Sequence, residues 1–112
     1  MSRGNEKAER GLFTLKEISR DEVELLPEGG LGNDDMTEFQ AWLDRTLRGG
    51  HRVIALNLQG VSTVGSSAIG KILHFKKLCD EMGRRLLIRK CNPEMLQLLK
   101  MIKFDDLIPI EE

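Results

Sequence analysis

Residues 53–73 read VIALNLQGVSTVGSSAIGKIL, and the change of rhythm inside this run decides the architecture. VIALNL (53–58) is a nearly continuous apolar stretch, the pattern of a strand buried on both faces. QGVSTVG reads as a loop, and a helix follows from about Ser66 to Met82. Ala68, Ile72, Phe75, Cys79 and Met82 recur at helical spacing as its inner stripe, with Ile69 and Leu73 beside them. Gly83 ends the helix. A buried strand feeding an amphipathic helix is the repeating unit of a parallel α/β sheet.

The unit recurs downstream. RLLIR (85–89) is a short apolar strand, and Pro93 suits the first turn of another helix. Met95, Leu98, Leu99 and Ile102 form the expected buried face of that helix. DLIPI (106–110) is a last strand, at an edge or a strand end because Pro109 has no N–H for the ladder. Upstream, LFTLKEI (12–18) and EVELL (22–26) alternate across SRD and read as a hairpin. EGGLGND then makes a loop. Asn33 or Asp34 can cap a helix running to about Arg48, with Met36, Phe39, Leu43 and Leu47 on one face and Gly49 and Gly50 as its stop. Trp42 falls between the buried and the open side of this helix.

The expected order is therefore β-β-α-β-α-β-α-β. It describes a single α/β domain over residues 12–112, a small mixed, mostly parallel β-sheet packed with helices. Residues 1–11 are charged, have little to bury and are expected to be a disordered lead-in.

Composition narrows the function. With 112 residues the chain builds one core and not two. A formal net charge of −1 lacks the basic surplus that a nucleic-acid or anionic-membrane partner favours. No apolar run approaches the ~20 residues of a membrane span, and no apolar segment follows the charged N-terminus as in a secretory signal. The expected place is the cytoplasm. Cys79 and Cys91 lie far from the spacing of a zinc site and read as small hydrophobes in a reducing compartment. His51 and His74 have no metal-spaced partner. Without a nucleophile–base pair, clustered carboxylates, a metal set or a cofactor motif, the expectation is a protein that is not an enzyme.

Two readings compete for the turn. Gly65, four intervening residues, Gly70 and Lys71 spell most of a phosphate-binding P-loop, a nucleotide-binding alternative. Such a loop needs a Ser or Thr after its Lys to hold Mg²⁺, and Ile72 stands there. It also leaves its strand directly, whereas QGVSTV intervenes here. The other reading uses Ser66 at the helix start, where unpaired N–H groups and the positive end of the helix dipole tolerate a phosphate. Ser66 serving only as a helix cap is the structural alternative.

The run resembles the signature of the STAS family, the anti-sigma factor antagonists. The pattern there is an LNL or LDL strand, a small polar turn, then Asp-Ser-Ser-Gly-Leu-Gly opening a helix. Leu56, Asn57 and Leu58 match the strand, and Ser66, Ser67, Ile69 and Gly70 match the turn. Gly65 stands in place of the Asp, and Ala68 in place of the Gly after the serines. The likeness runs through GRRLLIRKCNPEMLQLLKMIKFDDLIPI and covers roughly residues 12–110. It implies that Ser66, or alternatively Ser67, is phosphorylated by a serine kinase that is also the anti-sigma factor. A metal-dependent serine phosphatase would reverse the mark. The resemblance further implies a partner face at Gly65, Ser67, Ala68, Ile69 and Gly70 together with Asn33 or Asp34, and a role in bacterial partner switching. A constitutive, unphosphorylated scaffold is the alternative within the family.

Overall fold

Alternating apolar residues in the N-terminal hairpin put one side of each strand into the core, and the rest of the sheet grows from that edge. The computed structural model describes residues 5–7 and 12–111. In chain order the strands are β1 (Asn5–Lys7), β2 (Phe13–Glu17), β3 (Glu22–Pro27), β4 (Gly29–Leu31), β5 (Val53–Leu58), β6 (Val61–Val64), β7 (Arg85–Cys91) and β8 (Ile110–Glu111). The helices are α1 (Met36–Arg48), α2 (Ser66–Glu81) and α3 (Pro93–Met101). Short 3-10 turns sit at Asn33–Asp35 and Phe104–Asp106.

The main sheet has six strands in the order β1-β2-β3-β5-β7-β8. The β1/β2 and β2/β3 pairs are antiparallel, and the β3/β5, β5/β7 and β7/β8 pairs are parallel. The expected mixed, mostly parallel α/β domain is what forms. Because β3, β5, β7 and β8 succeed one another in one direction, right-handed crossovers place α1, α2 and α3 on the same face. That face holds the core: Phe13, Val23, Leu25, Ile54, Leu56 and Ile88 from the sheet meet Phe39, Leu43, Ile72, Phe75, Met95 and Leu99 from the helices.

The opposite face carries Glu24, Ala55, Asn57, Leu87, Arg89 and Glu111, the positions that pair with one another across the strands. Ala55, Leu87, Glu24 and Asn57 on this face are buried. The buried Glu24 and Asn57 of this face are paired with each other, and the half-buried Arg89 ties neighbouring strands together. Asn57 Nδ2 donates to Glu24 Oε2 at 2.7 Å, and Arg89 donates to Glu22 Oε2 at 2.6 Å and to Glu111 Oε1 at 3.1 Å.

Several expectations change. QGVSTVG is not all loop: Val61–Val64 forms β6, which pairs in parallel with β4 in a separate two-stranded sheet. The α1 helix starts at Met36, after a 3-10 turn, so neither Asn33 nor Asp34 is its N-cap; Asp35 occupies that place and accepts from the Gly32 N–H at 3.2 Å. In α3 only Met95 and Leu99 are buried, whereas Leu98 and Ile102 are exposed. The last strand is Ile110–Glu111, because residues 104–106 turn as a 3-10 helix. Within the expected disordered lead-in, Asn5–Lys7 run beside β2, and the remainder of residues 1–11 lies outside the described residues.

Trp42 belongs to the core. Its ring stacks on Phe13 at a centroid distance of 6.1 Å, with the Arg45 guanidinium 4.9 Å over it. Burial pushes the Cys79 thiol up to about 11, so this side chain stays neutral among the apolar residues, as its reading as a small hydrophobe expects.

Candidate functional site

The turn at Ser66 is built by the small sheet. Leu31 at the end of β4 pairs with Val64 at the end of β6, and the Gly65 N–H donates to the Leu31 carbonyl at 3.1 Å. At the other end of the pair the Gly29 N–H donates to the Gly60 carbonyl at 2.9 Å. Gly30 lies close to its neighbour strand: a Cβ there would stand 3.0 Å from Thr63 Oγ1, so the exposed Thr63 side chain would have to turn aside. Two parallel strands therefore deliver their following segments side by side, residues 32–35 ahead of α1 and Gly65 ahead of α2. The candidate partner residues at 33–34 and 65–70 are brought together on one edge. Asp34 is exposed there, and the side chain of Asn33 lies outside the described residues.

Gly65 is the N-cap of α2 and has no side chain to offer. The first turn of α2 holds no acidic residue. Its leading N–H groups have no carbonyl partner within the helix and carry the positive end of its dipole. Ser66 and Ser67 are exposed on this turn, while Ala68 is fully buried and seats the turn on the core. A negative group added to Ser66 would thus meet a favourable field without disturbing the packing. The alternative that Ser66 serves only as a helix cap falls away, since Gly65 takes the cap and Ser66 is the first helical residue.

Gly65 is not kept by backbone need. Its φ of −83° and ψ of 168° suit any residue, and a Cβ would meet only the Leu31 carbonyl at an ordinary 3.5 Å. Gly65→Asp is accordingly expected to stabilise the fold by about 0.5 kcal/mol, by supplying the cap and a charge at the helix start. A urea midpoint that rises with unchanged slope is the measurement, and a fall would mean that the turn has no room for the side chain.

The P-loop alternative lacks its loop. Gly70 and Lys71 lie inside α2, not in a phosphate-wrapping turn, and the Gly65 N–H is spent on Leu31. Lys71 Nζ donates to Gln40 Oε1 at 3.1 Å, and Gln40 Nε2 donates to Asp44 Oδ1 at 3.0 Å, a polar bridge from α2 to α1. Beside it an open groove of about 580 Å³ is lined by Met36, Gln40, Ser67, Gly70, Lys71 and His74. Sequence reasoning missed this groove because it depends on how the two helices lie together. It also missed β6, although the β-branched residues of VSTV carried a signal. No group of His, Cys, Asp or Glu among the described residues could hold a metal ion. No described helix is long and apolar enough to cross a membrane.

With this geometry in place, the likenesses to known proteins can be stated. The STAS domain pattern matches residues 34–112. A Thermotoga maritima crystal structure assigned as an anti-sigma factor antagonist is 25% identical, covers 89% of this chain and 86% of its own, and superposes with a TM-score of 0.81. SpoIIAA of Bacillus in its phosphorylated form is 18% identical, over 89% of this chain and 91% of its own, with a TM-score of 0.68. An anti-sigma factor antagonist from Mycobacterium paratuberculosis shares the fold at a TM-score of 0.79 with 8% identity, over 95% of this chain and 90% of its own. No curated protein matches the chain in sequence.

Proposed function

Since the chain belongs to the STAS domain family, we propose that it acts as an anti-sigma factor antagonist whose binding is switched by phosphorylation of Ser66. The observation that carries this reading is the exposed Ser66 on the first turn of α2, beside the segment ahead of α1. A phosphate there adds about −1.5 to −2 charge. The added charge leaves the core alone, because Ala68 and Ile72 hold the helix from below. Its effect falls on a docked partner, as desolvation of a dianion and repulsion of any carboxylate opposite. A loss of about 1.4 kcal/mol in binding is already tenfold in affinity.

The partners in this reading are a serine kinase that doubles as the anti-sigma factor and a metal-dependent serine phosphatase, all in the cytoplasm. The chain is a binding module and not an enzyme. Its partner face comprises Gly65, Ser66, Ser67, Ile69 and Gly70 with Asp34 and Asn33; the buried Ala68 supports this face from within.

One observation favours a second reading, a constitutive STAS scaffold: no carboxylate stands at Gly65 to mark the acceptor for a kinase. Fragment mass spectrometry of the protein from its own host, growing and stressed, separates the two. The switch expects a phosphate on Ser66 whose occupancy changes with conditions, and its absence under every condition leaves the scaffold. In binding assays with the anti-sigma partner, Ser66→Glu is expected to weaken affinity at least about tenfold. Ser66→Ala should bind like the unmodified protein.

A further inference from the structure

Ser66 and Ser67 sit side by side at the start of α2, yet the helix gives them different neighbours. Side chains three and four residues apart adjoin on a helix surface. Ser66 therefore meets Ile69 and Gly70, whereas Ser67 meets Gly70 and Lys71. The open groove of about 580 Å³ between α1 and α2 follows the same division: Ser67, Gly70 and Lys71 line it and Ser66 does not. A Cβ added at Gly70 would meet nothing within 4 Å, so the space beside Ser67 and Lys71 is free. No carboxylate lines the groove. Lys71 is half-buried there, and its Nζ donates to the neutral amide oxygen of Gln40 at 3.1 Å. An ammonium has three donors, so it can keep that bond and take an anion as well.

We propose that Lys71 is a built-in counter-charge for a phosphate on Ser67, which makes the two adjacent serines unequal acceptors. This rests on the reading of the turn as a phosphate acceptor. The transfer moves the γ-phosphoryl group of a nucleoside triphosphate onto Ser67 Oγ. The serine proton passes to the kinase's base, and the nucleoside diphosphate leaves. On Ser67 the dianion lies in the groove against a cation of its own helix, in a charge-assisted hydrogen bond. On Ser66 it finds no cation three or four residues on and stands bare toward whatever docks. A mark on Ser66 thus repels a partner, while a mark on Ser67 is partly neutralised by the chain that carries it. Nearby acids act on either phosphate: Asp34 and Asp35 ahead of α1, Glu38 in its first turn, and Asp44, which accepts from Gln40. His74 also lines the groove. None of these groups changes when Lys71 alone is replaced.

The test is a phosphorus NMR titration of the full chain, with phosphoserine placed genetically at position 67 or at position 66. Salt of about 0.15 M screens distant charges and leaves close pairs. A phosphoserine loses its second proton at about pH 6, and a cation beside it lowers that value. Lys71→Gln is expected to raise the pKa of the phosphate at position 67 by at least about 0.3. The phosphate at position 66 should move by less than half as much. Lys71→Arg keeps the charge and should leave the value at position 67 low. Unchanged circular dichroism marks both variants as folded. Equal movement at the two positions, no movement at position 67, or a rise with Lys71→Arg as large as with Lys71→Gln overturns the proposal. Because the phosphate is installed during synthesis, none of these outcomes depends on whether a kinase marks Ser66 in the cell.

Discussion

Phe13→Ala is expected to lower the unfolding free energy by about 3–5 kcal/mol, the range for deleting a fully buried aromatic ring. Phe13 on β2 packs against two aromatic residues of α1, with Phe39 and Trp42 each at a centroid distance of 6.1 Å and nearly parallel to it. Removing the ring takes away its contacts with both and leaves a void between the N-terminal hairpin and the first helix. Stacked pairs add about 0.5–1.5 kcal/mol each beyond area, so the loss belongs near the upper end. Trp42 is the sole tryptophan, so its emission reports the change directly. Urea unfolding followed by that emission should show a lower midpoint. A cost below about 1.5 kcal/mol would mean that α1 slides to fill the gap and does not rest on a fixed stack.

Arg89→Met acts on the other face of the sheet, with an expected cost of about 2–3 kcal/mol. Arg89 reaches from β7 to Glu22 on β3 and Glu111 on β8, and its guanidinium also stands 4.0 Å from Glu24. The hydrogen bond to Glu22 leads in holding it charged. Methionine keeps the stem and deletes the cation, leaving Glu22 and the buried Glu24 without it. A wholly buried pair broken this way costs about 3–5 kcal/mol, and the partial exposure of Arg89 and Glu22 lowers that figure. The melting temperature should drop by about 10 °C or more. In a double-mutant cycle, Glu22→Gln in the Arg89→Met background should cost less than it does alone. Simple additivity would show that the two side chains act separately.

The helices and parallel strands were legible because each obeys one local rhythm. VIALNL reads as a buried strand and Ala68, Ile72, Phe75 and Cys79 as a helix face, and both hold; Met82, expected in the same stripe, instead caps the helix and is exposed. The part that escaped depends on distant contacts. Val61–Val64 becomes a strand only because Gly29–Leu31, about thirty residues earlier, supplies its edge, and a strand at the rim of a fold has no continuous apolar run to announce it. The start of α1 was misplaced because three successive polar residues, Asn33, Asp34 and Asp35, all qualify as caps, and the Gly32 N–H decides among them. Leu98 and Ile102 satisfied the pattern of a buried face that the sheet is too narrow to cover. The junction at residues 65–70, where a helix opens at Ser66, was itself legible. Its proximity to residues 32–34 followed from the family likeness and not from any spacing in the chain.

The small β4–β6 sheet has a consequence for how tightly the chain can be held by whatever docks on it. With the Gly29 and Gly65 N–H groups anchored at its two ends, the approaches to α1 and α2 form a single two-pronged plug. A partner that took it up in this shape would freeze few backbone rotations. The contacts it makes are then spent on affinity and not on ordering loops.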